Sequence, residues 1–323
     1  MNSYKKIIIS FLIFFVVSFS FLFYIIDFRK DLLLYNLDRV SLYVNKKFLY
    51  NNHIDFDILL IGDSKLKSMF NPILIKDKKI YNFALSDSFP INGYYFLKLY
   101  LEKHPNFKNK EIILSFGIEH FSFFKPSSFE RLLEINYFDF DFNFYFKEYS
   151  FIKYNFPSYF KHSIFYFFDP LNWIINIFPM FYTPRDIISF NINYIEQNLG
   201  HRFVMNPFLN NKKLNHEAFL KKFKVLKIND YYLNKLIKLA KNNNIKIKFV
   251  FGPLNDTSEK FIRKNVLDDY YFYIKSFEKK YDNFSICNNI EFLPFYFFDD
   301  FNHIGKKGLK YVTYDIYNKC LKD

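Results

Sequence analysis

Residues 7–26, IIISFLIFFVVSFSFLFYII, run for twenty positions without a charge, the length a helix needs to cross the hydrocarbon core of a bilayer. Beyond that run the apolar positions fall into shorter periods. Leu33, Leu37, Val40, Val44 and Phe48 recur at three- and four-residue steps, which predicts an amphipathic helix. Ile58–Ile61 is an unbroken apolar run and reads as a buried strand. Gly62-Asp63-Ser64 ends it, and a short helix follows that stops near Pro72. Strands are expected at Lys79–Phe83 and Glu111–Phe116, with a helix through Tyr94–Leu101 between them. Later, a helix at Asp230–Lys241 leads into a strand at Ile245–Phe251, closed by Gly252-Pro253, and the chain ends in a helix. Strands alternating with helices predict an α/β fold built on a parallel sheet with both faces covered.

The alternation lapses after Phe121. Tyr137–Phe146, YFDFDFNFYF, alternates aromatic with polar residues, the period of a half-exposed strand; Asp139 and Asp141 share its polar face without a third ligand at metal spacing. Ser163–Tyr182 is strongly apolar, but Asp169, Pro170 and Pro179 interrupt it, so a second span is disfavoured. It suits a cap over a site, a patch lying on the membrane, a docking surface for a membrane partner, or equally ordinary core material of an insertion. The expected organisation is a short cytoplasmic tail (1–6), a signal anchor (7–26), a linking helix (27–52) and one α/β domain (53–323) interrupted by an aromatic-rich insertion (122–221).

Composition changes this picture little. The 48 Phe, the 27 Tyr and the abundance of Lys and Asn match a strongly AT-rich coding sequence, so single residues of these types carry little signal. The net charge of +13 is spread along the chain and accompanies no nucleic-acid motif, so no nucleic-acid partner is expected. A short basic start before the anchor predicts a single-pass protein of a bacterial cell membrane with its bulk outside the cytoplasm, although Arg29, Lys30 and Arg39 weaken the charge asymmetry. Cys287 and Cys320 are compatible with a disulfide there. They are equally compatible with free thiols, since Cys320 shares an apolar helix face with Leu309, Val312 and Ile316.

The candidate chemistry sits at the two ends of the α/β region. A serine directly after the first strand lies at the sheet edge where such folds gather ligands, at a helix start that favours developing negative charge. Asp300-Phe301-Asn302-His303 precedes the last helix. Its spacing allows a carboxylate to sit behind an imidazole, fix its tautomer and stabilise the imidazolium. These residues predict Ser64 as nucleophile, His303 as general base and then acid, and Asp300 as the orienting carboxylate. His120 follows the third strand at the same edge. No Walker A, dinucleotide-binding glycine fingerprint or Cys/His metal spacing occurs, so neither cofactor nor metal is expected.

With IGDSKLKSMF near the start and DDFNHIGKKG near the end, residues 57–121 and 230–323 resemble the SGNH/GDSL hydrolase superfamily. The resemblance implies a three-layer α/β/α domain and gives the same three residues, Ser64, Asp300 and His303; Asp63 is then a turn residue, and Asp299 is not the acid. It further implies oxyanion donors at the backbone N–H groups of Ser64 and Asp87, and a site lined by Asp63, Asn82, Glu119 and His120. Two blocks depart from the pattern. In YNFALSDS, Asp87 takes the place of a glycine, and Glu119 in Gly117-Ile118-Glu119-His120 replaces an oxyanion-binding asparagine. Loss of one such donor lowers rate by about 10²–10³.

An N-terminal anchor with these two blocks is similar to a membrane-tethered branch that includes D-alanyl transfer proteins of teichoic acid and O-acetylation proteins of envelope polysaccharides. The resemblance implies a serine acyltransferase or esterase acting on acetyl or similar esters of an envelope polymer, beside a multi-spanning membrane acyltransferase. The alternatives are an inactive scaffold that recruits such a partner and a plain anchored esterase or lipase.

Overall fold

The computed structural model describes residues 4–5, 9–14, 17, 20, 37–51, 54–124, 142–156, 185–203 and 214–322. Five parallel strands form the main sheet: β1 (Ile58–Gly62), β2 (Ile80–Asn82), β3 (Glu111–Ser115), β4 (Lys246–Phe249) and β6 (Phe284–Ile286). Their order, β2-β1-β3-β4-β6, reverses direction between β1 and β3. That reversal leaves a crevice at the carboxyl ends of β1 and β3, the place where open parallel sheets accept ligands. A second, two-stranded sheet pairs β5 (Leu254–Asn255) with β7 (Phe292–Leu293).

Both faces of the sheet are covered, as the continuous apolar strands require. Along β1, Leu59 and Ile61 point to one core and Ile58 and Leu60 to the other. The first core receives α3 (Pro90–Lys103), α7 (Lys227–Asn242) and α8 (Lys264–Lys280), through residues such as Leu97, Leu236 and Ile274. The second receives α2 (Ser64–Met69) and α9 (Lys306–Ile316), through Leu66, Met69, Val312 and Ile316. Tyr81, Phe83, Phe96 and Tyr100 contact one another within the first core, so aromatic area does there what aliphatic residues do in other sheets.

The amphipathic helix near the N-terminus is α1 (Leu37–Leu49), and it is more than a connection. Val40 and Val44 pack against Ile195 of α6 (Arg185–Gln197), and Leu49 enters the main core. Of the expected span 7–26, residues 9–14, 17 and 20 are described, and they are helical. Among the described residues no helix is long and apolar enough to cross a membrane. The apolar stretch 163–182 lies outside the described residues.

The strand expected at 137–146 is not formed in its second half. Residues Phe142–Asn155 make helix α5. Phe151 and Ile152, neighbours in sequence, both contact the cluster around Tyr231 and Tyr232, which a helix permits and a strand forbids. Its first half, 137–141, falls outside the described residues. Cys287 and Cys320 are free thiols within one core, the second of them buried.

Candidate active site

Gly62 fixes the geometry at the end of β1. A Cβ there would lie 2.1 Å from the Ser115 carbonyl oxygen and 2.9 Å from Leu66 Cδ2, so only glycine lets β1 pass β3 and turn into α2 at this distance. Asp63 then caps the helix, its Oδ1 accepting from the N–H groups of Lys65 and Leu66. Its Oδ2 accepts from Gly117 N at 2.6 Å and lies 3.0 Å from His120 Nδ1. The first intrahelical bond runs from Lys67 N to Asp63 O, so the Ser64 N–H, one residue into the helix, has no acceptor inside it.

Across the crevice, the loop between β7 and α9 carries the other two predicted residues. His303 Nε2 stands 2.8 Å from Ser64 Oγ, and His303 Nδ1 stands 2.8 Å from Asp300 Oδ2. With Nδ1–H donated to the carboxylate, Nε2 is the acceptor for the serine hydroxyl. Asp300 Oδ1 accepts from the N–H groups of Asn302 and His303. Burial pushes the Asp300 carboxyl up, but the His303 ring and these N–H groups outweigh it and hold the group below the usual carboxylate range. Asp299 is set apart: its N–H donates to the His303 carbonyl, and its carboxyl lies against Gly305 at the start of α9.

The residues expected to line the site divide. Asp63 and Asn82 have no exposed surface and do not line it; they hold it from behind. The Asn82 amide donates to the carbonyls of Leu66 and Phe70 and its oxygen accepts from Ala84 N, so it fastens the end of α2 to β2. Asp87 adopts φ +50°, the left-handed region that favours glycine and that aspartate tolerates. Next to it, Ser86 Oγ accepts from Arg202, which also pairs with Asp38 of α1. Glu119 and His120 begin α4 (Glu119–Ser122), directly after β3, and His120 packs edge-on against Phe89.

Behind Ser64 lies a buried ionic cluster of which the sequence reading names only a part. Lys65 is 4% exposed; its ammonium pairs with Glu217 and lies 3.7 Å from Glu119. Burial disfavours the charged ammonium, but the two glutamates and Asp63 outweigh it and raise its pKa. Burial and the charge of Glu119 push Glu217 up to about 7, while Lys65 and His120 overcome the burial of Glu119 and hold it ionised. Between them the two carboxyls keep one proton, on Glu217. Burial works against the charged forms of both Asp63 and His120, yet their attraction lowers the Asp63 pKa and raises that of His120.

Glu217 and its neighbour Asn215 belong to a stretch, NHEAF, without recognisable pattern. Lys65 was the available signal, since a cation that follows a buried strand by three residues needs an acid partner. The partner is 152 positions away.

Comparison of the chain with protein-family models and with curated proteins returns no match in either case. The functional reading of the chain therefore stands on the geometry of Ser64, His303 and Asp300.

Proposed function

We propose that this chain is a membrane-anchored serine acyltransferase or esterase of the SGNH type, with its α/β domain outside the cytoplasm and ester groups of an envelope polysaccharide or polymer as substrate. The observation that carries the reading is the unbroken hydrogen-bond chain Ser64–His303–Asp300 at the sheet's switch point. Ser64 Oγ attacks the ester carbonyl while His303 Nε2 takes its proton. The bond to the leaving alcohol breaks as the imidazolium returns that proton to the departing oxygen, giving an acyl-serine. A polymer hydroxyl, or water, then gives its proton to His303 and attacks the acyl carbonyl. The acyl–serine bond breaks as the imidazolium returns the proton to Ser64 Oγ, releasing the new ester or the free acid. Asp300 keeps the imidazole in the required tautomer throughout. The Ser64 and Asp87 N–H groups are the proposed oxyanion donors, and the left-handed backbone at Asp87 supports the match to a glycine position. The partners on this reading are the bilayer and a multi-spanning acyltransferase that supplies the acyl group.

One observation favours a second reading. Glu119, in the position of an oxyanion-binding amide, is committed to Lys65 and His120, as in a domain that keeps its fold as a scaffold for a membrane partner. The test is intact mass of the full chain in detergent after treatment with a fluorophosphonate, beside Ser64→Ala and His303→Ala. One adduct, lost in both variants, is expected. An unlabelled wild type, under conditions that label a control serine esterase, would favour the scaffold.

A further inference from the structure

The turn that contains Asn215 and Glu217 touches both halves of the site. Asn215 has no exposed surface. Its amide donates to the Phe301 carbonyl at 2.8 Å and to Asn302 Oδ1 at 2.9 Å, inside the loop that carries Asp300 and His303. Its own oxygen accepts from Asn255 N at 2.9 Å, and its N–H donates to Ser258 Oγ at 2.7 Å. Asn255 in turn donates to the same Phe301 carbonyl at 2.6 Å. Two residues on, Glu217 is 1% exposed and grips Lys65, the residue after Ser64.

From this arrangement we propose that Asn215 and Glu217 are positioning residues that set the separation of Ser64 from His303. One holds the loop of the base, the other the helix of the nucleophile, and a 3₁₀ turn at His216–Phe219 makes their spacing rigid. Ser64 and His303 come from elements 239 positions apart, and the strands that precede them pair in different sheets. Helices α2 and α9, which follow the two groups, already pack on each other and are tied by Thr313 to Asn71 N and Met69 O. The turn adds a second tie, bonded at the loop of the base and at the residue after the nucleophile. Displacements of about 1 Å at reacting groups lower rates by about 10²-fold, so the turn has leverage on reactivity beyond its share of stability. The inference rests on the proposed serine chemistry.

The experiment measures the pH dependence of Ser64 labelling by a fluorophosphonate in the full chain, for Asn215→Ala, Glu217→Ala, Glu217→Gln and the double alanine variant. Tyr273→Phe, which removes a hydrogen bond to Asp230 on the other face of the sheet, serves as a stability control. The expected result is labelling about 10- to 100-fold slower in each alanine variant, with the pH midpoint moved. Glu217→Gln, which still accepts from Lys65, should recover most of the rate. The double variant should lose less than the product of the single losses, because both act on one distance. Labelling at wild-type rate with an unmoved midpoint in both alanine variants would overturn the proposal. If the wild type itself resists labelling, the serine reading fails and the positioning claim is still decided. The His303 Nδ1 proton donated to Asp300, followed by NMR, must then shift or broaden in both alanine variants, and an unchanged signal rejects it.

Discussion

A methyl group on Gly62 would meet backbone, not a side chain able to move aside, because the atom nearest to it is the Ser115 carbonyl oxygen at 2.1 Å. Gly62→Ala should therefore destabilise the fold by about 3 kcal/mol and slow labelling of Ser64, both measurable by urea denaturation and mass spectrometry on one preparation. Asp63 is a stronger case. It accepts three backbone N–H groups and pairs with His120 while fully buried. Asp63→Asn takes from His120 its nearest carboxylate and leaves Glu119, at 3.8 Å, as its remaining one; loss of one member of a buried pair costs about 3–5 kcal/mol. His120→Phe in the Asp63→Asn background should restore part of that loss, which a denaturation cycle would show. The Gly-Asp-Ser triplet could be read as a turn from the sequence, since glycine and a capping acid are local signals. That its aspartate would be buried, with Gly117 N as a third donor, depends on the segment that follows β3, some fifty residues on.

Helix α2 is six residues long and cannot stand by its own propensity. Asp63 caps its start and the Asn82 amide takes up the carbonyls of Leu66 and Phe70 at its end. Asn82→Leu removes those donors and leaves buried carbonyls unsatisfied, a penalty of about 1–3 kcal/mol, and should slow Ser64 labelling more than it lowers the denaturation midpoint predicts. Equal labelling rates in the folded variant and the wild type would show that the Asp63 cap and the apolar face hold α2 without the Asn82 tie. The elements themselves were largely legible. Strands β1–β4 and helices α2, α3, α7 and α9 fall within a few residues of their predicted places, because apolar runs and three- and four-residue steps are local properties; α8 and the short strands β5, β6 and β7 were not placed from the sequence. The pattern at 137–146 misled because alternation alone does not say which element a segment packs against; the helix 142–155 is held further on, where Phe151 and Ile152 meet Tyr231 and Tyr232.

At the scale of the whole molecule, the ionic cluster makes stability depend on pH. Unfolded, the Glu119–Glu217 pair releases both protons near pH 4.3; folded, it keeps one until about pH 7. Over that window the native state binds more protons, so stability falls as pH rises, by at most about 1.4 kcal/mol per pH unit. His120 adds in the same sense. Its raised pKa contributes stability that is complete below its unfolded value of about 6.5 and is lost as pH climbs through the folded value. Asp63 and Asp300 set the lower limit: their lowered pKa values give stability present above the ordinary carboxylate range and lost as pH falls through the folded values. Thermal denaturation should thus show a maximum on the mildly acidic side of neutrality, with Glu217→Gln flattening the decline towards pH 7. A midpoint rising from pH 5 to pH 7 would contradict the retained proton.

By itself the sequence determined the alternation of strand and helix, the turn at Gly62 and the short range relation of Asp300 to His303, because each is decided by backbone sterics and by contacts a few residues apart. Only the tertiary structure decided that His303 reaches Ser64, that Asn82 and Asp63 face inward, and that Lys65 finds Glu217. Those pairings close loops of roughly twenty to more than two hundred residues, and no local preference selects among the chain's many glutamates and asparagines. The sheet order does so by fixing which strand ends meet, and the cost of burying an unpaired charge then admits only partners that can satisfy it.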